Sequence, residues 1–206
     1  MKNTGRLLAT AAAALTIAFA GTAFGQARPA GAAKQDVPLK VKDVSKVGNQ
    51  CLVPSPIFDG RVKGPGRSSG AKKRWASLEV GYMTRPDWID SATFTFHVMT
   101  CDDEGTLHYF TTTVTYLDIA KGEHGACVML PPSTVLRCGV PLAFGADIEV
   151  DDKFVGFASE GQFKGQQWWK SLESTKKKII RHTEGLVDRS KTPFGLTHID
   201  EYEAVR

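Results

Sequence analysis

Apolar and polar side chains alternate over several short segments of this chain. No other feature constrains it more, because a period of two fits only a pleated strand with one face buried. Ala92, Phe94, Phe96 and Val98 share one face against Thr93, Thr95, His97 and Met99. Leu142, Phe144, Ala146, Ile148 and Val150 repeat at every second residue. Trp75 to Met83 sets Ala76, Leu78, Val80 and Tyr82 against Trp75, Ser77, Glu79, Gly81 and Met83. Val37, Leu39 and Val41 oppose Lys40 and Lys42, and Pro38, which has no N–H for a ladder, places that strand at a sheet edge.

Turn chemistry separates these runs. Pro86 and Asp87 predict a turn after Met83, and Asp102, Asp103, Glu104 and Gly105 predict a hairpin into the Thr-, Tyr- and Phe-rich segment from Thr106 to Leu117. Lys121 to Gly125 reads as a further connection, and Asp151, Asp152 and Lys153 turn the 142–150 strand into Phe154 to Ser159. Pro131, Pro132 and Ser133 are expected to centre another hairpin, between Cys127–Leu130 and Thr134–Cys138. Cys51 to Pro56 precedes a short strand expected over Ile57 to Val62, and Gly64 to Arg74 reads as an exposed loop ending in Lys72, Lys73 and Arg74.

About eight strands at such spacing predict a mainly β fold: an immunoglobulin-like antiparallel β-sandwich over residues 37–165, with a closed barrel as the alternative. From Gln166 to His182 the alternation stops, and Trp168, Leu172, Lys176 and Ile179 or Ile180 can share a helix face. One C-terminal α-helix is therefore expected within 166–206. It would be followed by a tail whose Phe194, Leu196, Ile199, Tyr202 and Val205 pack on the sandwich.

Residues 1–27 read as a secretory signal peptide. Lys2 and Arg6 precede an apolar run from Leu7 to Ala20, and small residues lead to a cut after Ala27, with Ala20 or Ala23 as alternatives. Residues 28–36 are polar and expected to be flexible. The mature chain is thus expected outside the cytoplasm: secreted, in the periplasm, at the outer-membrane surface or extracellular. No membrane span and no axial helix of an ordinary pilin is expected. Removing Lys2 and Arg6 from the 26 basic residues leaves 24 against 22 acidic ones. That balance is too near neutral for a nucleic-acid partner.

Export makes Cys51, Cys101, Cys127 and Cys138 candidates for two disulfides. A hairpin centred on Pro132 and Ser133 would set Cys127 opposite Cys138, within reach of a bond, leaving Cys51 for Cys101. His97 with Cys101 and His124 with Cys127, with His108 nearby, have only loose metal-ligand spacing, so no metal and no other cofactor is assigned. The acidic groups at 102–104 and 151–152 read as turn residues, because neither has the spaced oxygens of a calcium loop. Without Gly-x-Ser-x-Gly or His-Glu-x-x-His, the chain reads as non-enzymatic. Trp88, Trp168 and Trp169 are candidate platforms for a sugar face, although a Trp pair opening an amphipathic helix more often docks that helix. Lys170, Lys176, Lys177, Lys178 and Arg181 make the same segment basic, as a solvated face would be.

Trp75-Ala-Ser-Leu-Glu-Val, Trp88-Ile-Asp-Ser-Ala-Thr-Phe-Thr-Phe, Leu130-Pro-Pro-Ser-Thr-Val-Leu-Arg and Trp168-Trp169 together resemble a small secreted family of Verrucomicrobia. Its best-known relative looks like the immunoglobulin-like protein encoded beside the type IV pilus genes of a mucin-degrading gut bacterium. The similarity runs from about Pro38 to Val205, in scaffold residues and not in a catalytic signature. It implies a protein of the envelope or type IV pilus system acting in assembly, adhesion or host interaction. Expected partners are envelope or pilus proteins and possible further copies of the chain, engaged along the edge strand carrying Val37, Leu39 and Val41. The alternative is a secreted module that binds mucin glycans.

Overall fold

The computed structural model describes residues 37–56, 73–174, 178–197 and 202–205. The signal peptide at 1–27, the polar segment at 28–36, the short strand expected over 57–62 and the loop over 64–72 lie outside the described residues.

The chain is mostly β, in one continuous sheet consistent with a β-sandwich. In chain order the strands are β1 (Leu39–Val44), β2 (Leu52–Pro54), β3 (Arg74–Cys101), β4 (Leu107–Leu130), β5 (Pro141–Val150), β6 (Lys153–Gly161), β7 (Ile179–His182), β8 (Val187–Asp188) and β9 (Ala204–Val205). β3 and β4 pair antiparallel from Ala76↔Leu130 to Cys101↔Leu107 and form the spine of the sheet. Along its other edge β3 carries β1 and β2 on its first half and β5 on its second, and β6 extends β5.

Two layers arise because this spine folds back on itself. Tyr82 and Phe94 are twelve positions apart on β3, a separation of roughly 40 Å in a straight strand. Their ring centroids nevertheless lie 5.2 Å apart. The fold-back occurs at the register shift between Thr84 and Trp88, and on β4 near Asp118, whose φ is 54°. The buried alternation on both halves then faces inward: Ala76, Leu78, Val80 and Tyr82 from one layer, Ala92, Phe94, Phe96, Val98, Phe144, Ala146 and Ile148 from the other. Pro86 and Asp87 therefore mark a bulge inside a continuous strand, and Lys121 to Gly125 likewise stays within β4. Asp102 to Gly105 and Asp151–Asp152 do form hairpin turns. The two aspartates at 151 and 152 adopt φ of 48° and 61°, as a two-residue hairpin requires.

Two sequence expectations are corrected. The segment after Pro131 is not a hairpin but the helix α1 (Pro132–Cys138), the one α-helix among the described residues. Pro132 occupies its first turn, where a missing N–H costs nothing. Thr134 and Val135 donate to the Pro131 carbonyl, and Gly139, at φ 81°, ends the helix. Among the described residues of 166–206, the expected C-terminal α-helix is not formed. Trp168–Ser174 forms a 3₁₀ segment and Ile179–His182 is β7, lying parallel to Leu107–Phe110. Pairing with β4 satisfies strand-edge N–H and C=O groups that a helix would leave open. β8 and β9 pair further along β4, so C-terminal segments line that strand, whereas Leu196, expected to pack on the sandwich, is exposed. Val205 packs on the core, and Phe194 meets Trp75 edge-on at 5.9 Å.

Candidate functional site

The outer face of β3, β4 and β5 carries a second apolar cluster in which Trp168, Trp169 and Leu172 lie over Met99, Tyr109 and Ala143. Trp169 lies flat on the His97 imidazole, centroids 4.6 Å apart, and its Nε1–H donates to Asp147 Oδ2 at 2.9 Å. Gln167 donates to Asp147 Oδ1 at 2.8 Å, and His97 Nδ1 shares a 2.7 Å hydrogen bond with Tyr109 Oη. His97 and Asp147 resemble an acid–base pair, but burial pulls the His97 pKa down to about 4 against the raising effect of Asp147. At neutral pH the ring is uncharged, so the 3.6 Å approach of its Nε2 to Asp147 is not an ion pair. Trp169 covers this group, and the arrangement serves to lock the 3₁₀ segment onto the sheet.

A second histidine cluster sits at the end of β4. His108 Nδ1 and His182 Nε2 are 2.9 Å apart, and His108 Nε2 is 3.1 Å from Asp102 Oδ2. The His108 N–H contact and the backbone N–H groups of Thr106 and Glu104 hold Asp102 below the usual carboxylate range. Burial, then the neighbouring His108 and Arg137, lowers the pKa of His182. Cys138, at the end of α1, completes the group: its Sγ and one ring nitrogen of each histidine lie within 4.8 Å of one another. Neither loose pairing weighed from sequence is the one assembled here. His108 is the shared element, and its partners come from α1 and β7, far away in the chain. His124 lies elsewhere, its Nδ1 2.8 Å from Glu203.

None of the four cysteines is in a disulfide, which corrects the expected Cys127–Cys138 and Cys51–Cys101 bonds. The predicted pairing rested on a hairpin that is α1. Cys127 instead stands opposite Glu79 in the ladder and touches Ser77 Oγ at 3.5 Å, while Cys51 Sγ donates to the Gly48 carbonyl at 3.1 Å. Burial pushes the Cys127 thiol up to about 12 and Cys51 to about 11, so neither is a nucleophile at neutral pH.

The remaining sequence candidates fall on the surface and at an edge. Trp88 is 66% exposed at the β3 bulge, whereas Trp168 and Trp169 are buried at 5% and 8% and offer no open ring face. Along β1, Leu39 is buried, Val41 is partly buried against the core, and Val37 alone of the three is exposed. At the edge expected to meet a partner, the Leu39 and Val41 side chains thus turn toward the core and the strand offers its backbone. The Pro38 carbonyl accepts from Arg85 N–H at 3.0 Å, so ladder alternation turns the backbone groups of Leu39 and Val41 away from β3. Among the described strands β1 pairs with β3 alone. Tyr202 lies over the Arg189 guanidinium at 3.9 Å, and its hydroxyl donates to Glu79 Oε2 at 3.2 Å, fixing the C-terminal segment on the sheet.

A family model matches residues 30–206. The chain is also similar to a protein from Akkermansia muciniphila whose crystal structure superposes with a TM-score of 0.64 at 20% identity, over 82% of this chain and 92% of that one. At that identity the likeness shows the fold. No curated protein matches the chain. Among the described residues, no helix is long and apolar enough to cross a membrane.

Proposed function

This chain belongs to the family whose model spans residues 30–206, the Verrucomicrobia family its sequence resembles, and on that premise we propose that it is an exported, non-enzymatic binding protein of the type IV pilus system or outer envelope. It acts by protein contact in assembly, adhesion or host interaction. The observation that carries this reading is the β1 edge: outward N–H and C=O groups at Leu39 and Val41, with side chains already committed to the core. Such an edge accepts an added strand from a partner without rearranging the sandwich. Clustered polar groups elsewhere support binding over turnover, because the His97 group is neutral and covered and the Cys51 and Cys127 thiols are protonated.

A photo-activated cross-linker placed at the exposed Lys40 tests this reading on the native cell envelope. The proposal expects a discrete protein adduct that is lost in Val41→Pro, which removes an outward N–H while sparing the ladder to β3. An adduct pattern and oligomer size unchanged by Val41→Pro would overturn it. A second reading, glycan binding, is favoured by one observation, the exposed indole of Trp88. Tryptophan fluorescence titrated with mucin oligosaccharides separates the two, since buried Trp168 and Trp169 would not respond.

A further inference from the structure

We propose that His108, Cys138 and His182 form a binding site for a divalent transition-metal ion, zinc in the first instance, through His108 Nδ1, Cys138 Sγ and His182 Nε2. Two imidazoles and a thiolate are the donor set of a borderline-soft ion; calcium and magnesium need oxygen ligands.

The geometry fits with little movement. In a tetrahedral site, nitrogen at ~2.0–2.1 Å and sulfur at ~2.3 Å from zinc place the donors roughly 3.3–3.6 Å apart. Cys138 Sγ and a ring nitrogen of each histidine already lie within 4.8 Å of one another, and His108 Nδ1 and His182 Nε2, at 2.9 Å, need to part by only a few tenths of an ångström. The outer shell is also built. Asp102 Oδ2 sits 3.1 Å from His108 Nε2, so the carboxylate accepts a hydrogen bond from the N–H at that nitrogen and leaves the Nδ1 lone pair facing the ion. Asp102 is itself held by the N–H groups of Glu104 at 3.0 Å and Thr106 at 2.8 Å. The Phe110 ring, 4.5 Å from that of His182 and nearly parallel to it, fixes the second imidazole.

Cys138 and His108 are buried, at 0% and 7% exposure, whereas His182 is half-buried and borders a cleft of about 380 Å³ lined by Arg137, Arg181, Thr183, Glu184 and Gly185. An ion would enter past His182. The cleft would supply the fourth ligand as water or a small anion, which the two guanidinium groups favour. On binding, the Cys138 thiol releases its proton to solvent, and the proton by which His182 Nε2 bonds to His108 Nδ1 in the free protein passes through solvent to His182 Nδ1, freeing both lone pairs for the ion. The thiolate and Asp102 then balance the dication. The three ligands come from β4, α1 and β7, so the ion would pin α1 and the C-terminal strand to the spine of the sheet.

The test uses the intact chain, stripped with a chelator under reducing conditions and titrated with Zn²⁺ against a chromophoric competitor. One ion per chain is expected, with Cys138→Ser and His182→Gln each weakening binding about 100-fold or more and Asp102→Asn about 10-fold. Co²⁺ substitution reads the thiolate independently of any variant: a sulfur-to-cobalt charge-transfer band in the near ultraviolet is expected in the wild type. His182→Gln alters a half-buried ring and serves where Cys138→Ser fails to fold. Absence of the charge-transfer band, or zinc affinity unchanged in a folded His182→Gln variant, would overturn the proposal.

Discussion

Trp169 lies parallel to His97 at 4.6 Å and donates to Asp147, so a neutral imidazole is enclosed between an indole and the sheet. The His97 pKa is lowered to about 4, against roughly 6.5 in an unfolded chain. The unfolded state therefore binds the extra proton first, and stability falls as pH drops from about 6.5 toward 4. The loss from this group is of the order of 3 kcal/mol. Urea unfolding of wild type and His97→Phe across that interval is expected to give a shallower pH slope in the variant. Equal slopes would place the acid sensitivity elsewhere.

Gly145 permits the same contact. A Cβ there would overlap the six-membered ring of Trp169, and the neighbouring atoms are fixed by sheet and indole alike. Gly145→Ala is expected to lift the 3₁₀ segment from the sheet, costing about 1–3 kcal/mol. The matching optical signature is a red-shifted tryptophan emission with unchanged β-type circular dichroism. Gly156→Ala, where a Cβ meets nothing within 4 Å, serves as the control on an adjacent strand.

The layered β fold was legible wherever one face is dry. Ala92 to Val98 and Leu142 to Val150 alternate because each second residue enters the core, and both are strands. The fold-back of β3 was harder to read: Pro86 and Asp87 carry turn chemistry, yet only the facing layer decides whether the chain reverses or bulges. Pro132 is an equally good hairpin residue and first-turn helix residue, so local signals could not separate α1 from a turn. The Cys127–Cys138 pairing failed with that choice. The cluster of His108, Cys138 and His182 was illegible for a different reason, since it is assembled by parallel pairing of β7 with β4 across some seventy positions of sequence.

Tyr116 offers a direct measure of how the layers are joined. Its buried hydroxyl accepts from the Cys127 N–H at 3.0 Å, and burial raises its pKa well above the ordinary phenol value. Tyr116→Phe leaves that N–H unpaired in a dry interior. A loss of about 1–3 kcal/mol is expected in chemical denaturation, with little change in near-native packing. A neutral result would mean that water reaches the Cys127 amide.

Thiol chemistry distinguishes this arrangement from a disulfide framework. With no disulfide among the four cysteines, the melting temperature is expected to be the same with and without a reductant, and four thiols per chain should titrate after denaturation. Under native conditions Cys51, Cys127 and Cys138 are buried and should label slowly. A reductant-sensitive transition would reinstate a covalent link.

Trp88 decides between the two functional readings with one substitution. The side chain is 66% exposed and lies opposite Ala120 in the ladder, so it contributes little to the core. Trp88→Ala is expected to change stability by no more than about 0.5 kcal/mol. If the β1 edge carries function, envelope cross-linking from Lys40 persists in this variant. If the indole is a sugar platform, oligosaccharide-induced fluorescence change disappears while the cross-link is unaffected or never forms. The paired measurement on Trp88→Ala and Val41→Pro assigns each contact to its own surface, because one change removes a ring and the other a backbone donor on a different strand.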